Sequence, residues 1–279
     1  MSAFVPPLAC SVRDCALPLR RESRRFVCER GHSFDIARSG YLSLLQPQDR
    51  RSLEAGDARE TVDARRALLD ADFGAALRSE LVSLARSLEL PAGAVALDLG
   101  CGDGHFLAAT CAALAWNGLG IDLSPHAVER CARRHPQLAW IAANADRRLP
   151  VQDASIDLAL SIDGRRPASE LARVLSVSGA VVIAIPAADD LVELRTNVLG
   201  EDRGASRVPA VERELAENFA LVEARTARAR LRLDRASLER LARATYRWQR
   251  ERERERFATL DALEVTTSHD LLLFRRRAL

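Results

Sequence analysis

The chain has 279 residues, and its 41 basic and 39 acidic side chains leave a formal net charge of +2. This length allows one large domain or a domain with an appendage, and it buries enough surface to fold without disulfides. The balanced charge argues against a uniformly basic coat for nucleic acid, and no apolar run reaches the roughly 18 residues that span a bilayer. No secretory signal is recognised at the N-terminus, so the expected location is the cytoplasm, with no membrane partner.

Residues 1–46 are predicted to form a small metal-binding module. Cys10 and Cys15 form one close pair, and Cys28 and His32 form a second pair after a gap of twelve residues. Two such pairs can surround one tetrahedral zinc ion, and thiolates favour zinc. Four protein ligands leave no open position, so the predicted zinc is structural. The wide spacing of the first pair keeps unrelated free cysteines as the alternative.

Residues 47–90 are predicted to be a helical linker. The segment 47–56 is polar, and from Asp57 to Leu88 apolar residues recur at helical spacing with a break near Gly74. This pattern predicts two amphipathic helices.

The most informative segment is the apolar run Val95–Leu99, which is followed by Gly100, Gly102 and Gly104. Glycine lets the backbone turn sharply and approach a ligand with no side chain between them. A second apolar run ends at Asp122, about 20 residues further on, where a carboxylate can accept hydrogen bonds from two ribose hydroxyls. The segment predicts a nucleoside-binding βαβ unit, with a merely structural βα turn as the alternative.

Strands and helices alternate through the rest of the predicted domain, 91–279. Strands are expected at 94–99, 118–123, 138–142, 155–161, 180–185 and 264–275, with helices at 124–134 and 168–176. Ser124 and Pro125 suit an N-cap and a first-turn proline. The alternation predicts an α/β fold with a doubly wound, mostly parallel sheet that binds ligands outside its carboxyl edge.

The C-terminal part is rich in arginine. Between Arg225 and Arg256 lie twelve arginines and five acids, with Tyr246 and Trp248 among them. One interpretation is a solvated helix with i, i+4 ion pairs. The other is a surface that faces RNA, because basic side chains interleaved with aromatics suit phosphate contact and base stacking. Both interpretations stay open. Cys101, Cys111 and Cys131 are expected to be buried apolar thiols.

The run Leu97-Asp-Leu-Gly-Cys-Gly-Asp-Gly104 resembles the first motif of class I S-adenosylmethionine-dependent methyltransferases. The third glycine of a dinucleotide-binding template would fall instead at residue 105, which is histidine. The resemblance implies a Rossmann-like class I methyltransferase fold with S-adenosyl-L-methionine as cofactor. It implies that the methionine half of the cofactor contacts Asp98, Gly100, Cys101 and Gly102. The ribose and one adenine face would contact Asp122 and Leu123, and the adenine amino group would lie near Asn144 and Asp146. Ser161 is the last of the expected cofactor-binding residues.

A more specific resemblance covers nearly the whole chain. Residues Phe26–Leu45 and Gly56–Asp70 resemble the zinc-binding N-terminal domain and the following landmarks of the bacterial 23S ribosomal RNA guanine-N1 methyltransferases. That family implies a module that grips RNA and an enzyme that methylates N1 of a guanine in a 23S ribosomal RNA hairpin loop. RNA is therefore the expected partner, and a homodimer is left open.

The segment that would face the substrate departs from that family. Ile162–Pro167 lacks the expected Tyr-Ala-Pro, and Ser176–Gly179 replaces a proline-glycine turn. Asp163 is the candidate base for the guanine N1 proton, with an exposed turn carboxylate or a helix cap as the alternative. The departures keep two other functions open: a methyltransferase acting on a different RNA or a small molecule, and a catalytically silent RNA-binding relative.

Overall fold

The computed structural model describes residues 4–50, 57–200, 204–245 and 251–277. Gly56, Tyr246 and Trp248, which entered the sequence interpretation, lie outside these ranges. In the described part of the chain, each helix is too short or too polar to cross a lipid bilayer.

The N-terminal segment folds into a small antiparallel sheet and then joins the large one. Strands β1 (Arg20–Glu22), β2 (Arg25–Val27) and β3 (Ser33–Asp35) form the small sheet. Strand β4 (Leu42–Ser43) instead pairs in parallel with β7 (Ala139–Ala142) at one edge of the large sheet. The metal-binding segment is therefore hydrogen-bonded to the larger domain through its last strand.

Two amphipathic helices follow a short 3-10 helix at Pro47–Arg50, which confirms the predicted helical pattern. They are α1 (Arg59–Asp70) and α2 (Ala75–Arg86), and the break falls at Gly74. A Cβ atom at Gly74 would lie 2.7 Å from the Leu69 side chain and 3.2 Å from the Phe106 ring. A side chain at this corner would require the Leu69 side chain to shift, so glycine suits the close packing here.

The large sheet confirms the predicted doubly wound architecture. Its further strands are β5 (Val95–Leu99), β6 (Asn117–Asp122), β8 (Ile156–Ile162), β9 (Leu175–Pro186), β10 (Phe219–Asp234) and β11 (Ala262–Arg276). Across the described residues the order is β10-β11-β9-β8-β5-β6-β7-β4. Strand β11 runs antiparallel to both neighbours, and the pairs from β9 to β4 are parallel.

The remaining helices connect these strands or pack beside them. They are α3 (His105–Leu114), α4 (Pro125–Arg134), α5 (Ala168–Val174), α6 (Val192–Leu199), α7 (Val208–Leu215), α8 (Arg235–Thr245) and α9 (Glu251–Ala258). The Ser124 hydroxyl accepts a hydrogen bond from the N–H of Ala127 at 3.4 Å, which confirms the predicted N-cap of α4.

Each face of the sheet carries its own hydrophobic cluster, because successive side chains of a strand point to opposite faces. Leu97 and Leu99 of β5 belong to one cluster, and Ala96 belongs to the other. The first cluster also contains Leu8 and Phe26 of the N-terminal segment. The small sheet and the large sheet thus share one core.

The arginine-rich segment is not one helix, and the helical interpretation is wrong for residues 225–234. These residues form the second half of β10, where Arg228, Arg230 and Arg232 are exposed and Leu233 is buried. That alternation has the period of two typical of a half-buried strand. Helical structure is found only further along the described segment, in α8 and α9.

Candidate active site

A cleft of about 770 Å³ opens at the carboxyl ends of β5, β6, β7 and β8. Its lining contains most of the predicted cofactor residues: Asp98, Gly100, Cys101, Gly102, Asp122, Leu123, Asn144 and Asp146. Parallel strands of doubly wound sheets carry their ligand sites at this edge, so the shared topology explains why these side chains meet. The candidate base Asp163 lines the same cleft.

Ser161 is the predicted residue that the cleft lining does not include. Its side chain is fully buried, and its hydroxyl donates to the carbonyl oxygen of Arg165 at 2.9 Å. Ser161 therefore shapes the turn that follows β8.

The turn after β5 holds Asp122 in place through backbone N–H groups. Gly102 donates to Asp122 Oδ2 at 2.9 Å, and Ser124 donates to Oδ1 at 2.8 Å. Gly100 and Gly102 have φ values of 77° and 53°, which glycine adopts without strain. Burial raises the pKa of the Asp122 carboxyl, although these two N–H donors act in the opposite direction. The carboxylate is fixed at the cleft wall, where its remaining lone pairs suit ribose hydroxyls.

Asp98 is 3% exposed, and its Oδ1 has no hydrogen-bond partner among the described residues. Burial, together with the nearby negative charges of Asp122 and Asp103, raises its pKa to about 8. A buried acceptor without a donor is costly, and a cationic ligand in the cleft would relieve that cost. S-adenosylmethionine carries an ammonium and a sulfonium, so the donor set fits this cofactor.

Trp140 explains the third glycine of the motif. A Cβ atom at Gly104, or at Gly120 on β6, would lie 2.4 Å from the Trp140 ring. The ring therefore packs directly under the backbone of the turn, and the Cys131 thiol donates to the Gly102 carbonyl at 3.2 Å. Cys101, Cys111 and Cys131 are all buried, as predicted.

The polar residues beside the expected adenine position are already hydrogen-bonded. Asn144 Nδ2 donates to Asp49 Oδ1 at 3.2 Å, and Asn144 Oδ1 accepts from the N–H of Asp146. Asp146 in turn pairs with Arg165 at 3.2 Å. The Asn144 side chain therefore fixes the loop after β7 and connects it to the 3-10 helix before α1.

Helices α1 and α8 supply cleft residues that sequence reasoning missed. Arg65 of α1 forms an ion pair with Asp57 at 2.6 Å and donates to the carbonyl oxygen of Ala244 of α8 at 3.2 Å. The Ala-Arg-Arg run lies within the Gly56–Asp70 segment that carried the family resemblance. Nothing in its spacing indicates that one arginine turns toward the cleft.

A smaller chamber of about 170 Å³ adjoins the cleft, and the two share Ile162, Asp163 and Pro186 among their walls. His269 of β11 also lines the chamber, and its Nε2 lies 3.3 Å from Asp163 Oδ2. Asp163 has a φ of 51°, in the left-handed region that non-glycine residues seldom adopt. Such strain is typical of functional sites.

The four predicted zinc ligands converge in the N-terminal segment. Cys10 Sγ and Cys28 Sγ each lie 3.4 Å from His32 Nδ1, and Cys15 Sγ lies 3.8 Å from Cys28 Sγ. All four donor atoms lie within 4.8 Å of one another. Zinc–sulfur bonds of about 2.3 Å set the edge of a tetrahedron at about 3.8 Å, so the donor set fits a structural zinc ion.

Two family models match the two parts of the chain that contain these residues. A family model described as "RlmA, N-terminal" matches residues 9–53, and one described as "Methyltransferase domain" matches residues 96–179. A Streptomyces fradiae protein named 23S rRNA (guanine(748)-N(1))-methyltransferase is 36% identical over 236 residues, which cover 81% of this chain and 81% of the relative. The chain belongs to the 23S rRNA guanine-N1-methyltransferase family.

Two further relatives carry the provisional name 23S rRNA (guanine-N(1)-)-methyltransferase. The Micromonospora griseorubida protein is 34% identical and covers 68% of this chain and 69% of its own length. The Bacillus subtilis protein is 33% identical and covers 76% of this chain and 75% of its own length. Membership in this family makes the chain an S-adenosylmethionine-dependent methyltransferase with a zinc-binding N-terminal domain.

Proposed function

We propose that this protein methylates N1 of a guanine in a hairpin loop of 23S ribosomal RNA. The observation that carries the proposal is the position of Asp163, at the junction of the cofactor cleft and the adjoining chamber. A carboxylate at this point can accept a proton from a base that enters from the chamber side. The names of the relatives supply the nucleobase and the atom.

Bound S-adenosylmethionine supplies an electrophilic methyl group on a sulfonium. The protein therefore needs to position the acceptor and to remove its proton, because neutral guanine N1 carries one. Asp122 and Asp98 would hold the ribose and the methionine half. Asp163 would accept the N1 proton, and the apolar residues around the chamber would exclude water.

Arginine side chains at the cleft mouth favour RNA over a small molecule as the substrate. Arg165, Arg166 and Arg207 all line the cleft. The Arg165 side chain is 72% exposed and pairs with Asp146, and Arg166 pairs with Glu214 at 3.0 Å. A rim of guanidinium groups suits contact with phosphates, and a loop nucleotide is already unstacked enough to enter a pocket.

The test uses the full-length protein, a 23S ribosomal RNA hairpin and methyl-labelled S-adenosylmethionine. We expect one guanine of the loop to become N1-methylguanine, as identified by mass spectrometry of nuclease digests. Label in a small molecule, or at a different base, would favour the second function. RNA binding without methyl transfer would favour a silent relative.

We also propose that the protein acts in the cytoplasm, where bacterial ribosomal RNA is assembled into ribosomes. The homodimer stays a prediction, and analytical ultracentrifugation of the purified protein tests it.

A further inference from the structure

We propose that the chamber beside the cofactor cleft receives the flipped-out guanine, and that His269 positions Asp163 toward N1 of that base. This inference deepens the proposed function and depends on it. It assigns a binding site to the chamber and a role to a histidine that the sequence analysis did not select.

The chamber has the chemistry of a pocket for a nucleobase. Phe73 and Phe106 supply aromatic surface, and Leu77 and Leu241 are among its aliphatic walls. Flipped bases are held by stacking on aromatic and apolar side chains and are recognised by a few polar groups. The volume of 170 Å³ corresponds to about eleven water molecules at roughly 15 Å³ each, a number similar to the count of non-hydrogen atoms in guanine.

Two of the polar side chains that line the chamber could meet the edge of a bound base. Asp163 and His269 line the chamber, and Asp163 is shared with the cofactor cleft. Phe106 is also shared, and it follows the glycine turn directly on α3. A base stacked against Phe106 would therefore present its edge to Asp163 and to the cleft at the same time.

Two backbone pairings place Asp163 beside His269, and one side-chain hydrogen bond orients the Asp163 carboxylate. Its backbone N–H donates to the carbonyl oxygen of Ala184 on β9 at 3.0 Å. His269 pairs in register with Pro186, also near the end of β9, and its imidazole N–H donates to Asp163 Oδ2. Among the described residues, His269 is the partner of the Asp163 side chain, which leaves Oδ1 for a ligand.

The reaction balances with these groups. The N1 proton of guanine passes to Asp163 Oδ1, and the N1 lone pair attacks the methyl carbon. The nitrogen–carbon bond forms as the carbon–sulfur bond breaks, and the bonding pair remains on sulfur, which becomes a neutral thioether. Asp163 then releases its proton to water when the products leave. The His269 N–H stays on Oδ2 throughout and fixes the orientation of the carboxylate.

The charge of His269 should appear in the pH dependence. Burial alone would lower its pKa, but the hydrogen bond and charge of Asp163, together with Asp190 and Asp270, raise it overall. Arg65 is a further charged side chain that lines the same chamber. A protonated imidazole weakens the neighbouring carboxylate as a base, so the methyl-transfer rate should rise with pH as His269 loses its proton.

The first test compares the single-turnover rate of hairpin methylation between pH 5.5 and 9 in the unmodified protein and in three variants. Asp163→Asn should lower the rate about a hundredfold or more at pH 7 and leave a rate that rises roughly tenfold per pH unit, because guanine N1 must then ionise unaided. His269→Ala should lower the rate roughly tenfold to a hundredfold. His269→Gln should recover most of the rate, since its amide can donate to Asp163, but it should lose the titration step.

His126→Gln is the matched control, because His126 of α4 also lies beside an aspartate, Asp63 at 3.7 Å, outside both cavities. It should leave the rate and its pH profile unchanged. A titration step that persists in His269→Gln would overturn the role of His269. An Asp163→Asn rate equal to that of the unmodified protein would overturn the assignment of Asp163.

The second test fills the chamber. Ala76→Phe on α2 places an aromatic ring in the chamber, because Ala76 lines the chamber and is absent from the cofactor cleft. We expect S-adenosylmethionine affinity and thermal stability to be retained while RNA methylation falls at least a hundredfold. Ala75→Leu, one residue away and outside the chamber lining, is the control and should remain active. Full activity of a folded Ala76→Phe protein would exclude the chamber as the base pocket.

These outcomes separate the inference from the proposed function. If the unmodified protein leaves guanine N1 unmethylated, the proposed function fails and no variant comparison is needed. If guanine N1 is methylated but the chamber and His269 variants behave like their controls, the proposed function stands and the inference fails.

Discussion

Arg66 and Asp103 form an ion pair of 2.9 Å inside the protein, where their side chains are 7% and 6% exposed. The pair connects α1 to the turn that follows β5. Asp103 also accepts a hydrogen bond from the N–H of His105, the first residue of α3. Arg66 completes its bonding with Asp70 at 2.6 Å. The shape of the cofactor turn therefore depends on a helix that precedes it in the chain.

Removing Arg66 should destabilise the fold strongly. Arg66→Ala leaves the Asp103 carboxylate buried without its cation, and breaking a buried pair in this way costs about 3–5 kcal/mol in the free energy of unfolding. Urea denaturation followed by circular dichroism measures the change. Arg130→Ala removes one of the partners of Asp63 at an exposed site and should cost about 1 kcal/mol or less. Equal losses of unfolding free energy in the two variants would show that burial does not strengthen the Arg66–Asp103 pair.

Asp122→Ala should abolish S-adenosylmethionine binding in calorimetry. Each hydrogen bond to a charged group contributes about 1.5–3 kcal/mol, so losing two ribose contacts should weaken binding by a factor of about a hundred or more. Asp153→Asn, at an exposed carboxylate that is absent from the cleft lining, is the control. An unchanged affinity in Asp122→Ala would remove the ribose-binding role.

The binding of S-adenosylmethionine should release a proton near neutral pH. The pKa of Asp98 is raised to about 8 in the folded protein, so this group is protonated at pH 7 in the free cleft. A cationic ligand favours the carboxylate and lowers that pKa, so affinity should increase with pH up to about 8 and level off above it.

Calorimetry in two buffers of different ionisation enthalpy measures this proton release, and Asp98→Asn should suppress it. A proton release that is identical in Asp98→Asn would contradict the assignment.

The raised pKa of Asp98 also has a consequence for stability. The folded state keeps the Asp98 proton between about pH 4 and 8, while the unfolded chain loses it. The contribution of Asp98 to the free energy of unfolding therefore falls as pH rises across that window.

Metal analysis of the purified protein should find about one equivalent of zinc per chain. Replacing Cys28 by Ser together with His32 by Ala should remove that zinc, because these residues supply half of the clustered donor atoms. Cys111→Ser changes a buried thiol of the other hydrophobic cluster and should retain the metal. Zinc retained by the double variant would refute the ligand set.

Local sequence patterns predicted the central sheet because each strand carries its own signal. Val95–Leu99 is apolar and ends in a glycine turn, and Ser124 caps the helix after β6. The alternation in β10 was hidden because its exposed positions are arginines, which also suit a helix. The strand expected at 180–185 is β9, which begins earlier, at Leu175, because Ser176–Gly179 continues the strand.

The chamber could not be predicted from spacing. Asp163 and His269 are 106 residues apart, and they meet because β11 inserts antiparallel between β9 and β10. Phe73 reaches the same cavity from the corner between α1 and α2. Neither His269 nor Phe73 belongs to a recognisable motif. The order of the strands brings His269 to Asp163, and the corner between the two helices brings Phe73 to the same cavity.

The segment that carries the zinc ligands is hydrogen-bonded to the edge of the large sheet beside the cleft. Its strand β4 extends the sheet beside β7, the Leu44 N–H donates to the carbonyl oxygen of Ala142, and Asp49 holds the Asn144 amide. A variant that lacks this segment would expose the backbone edge of β7 and the part of the shared core that packs against Leu8 and Phe26. Chelation of the metal should consequently loosen β4 and, through Asp49, the loop that carries Asn144 at the cleft wall.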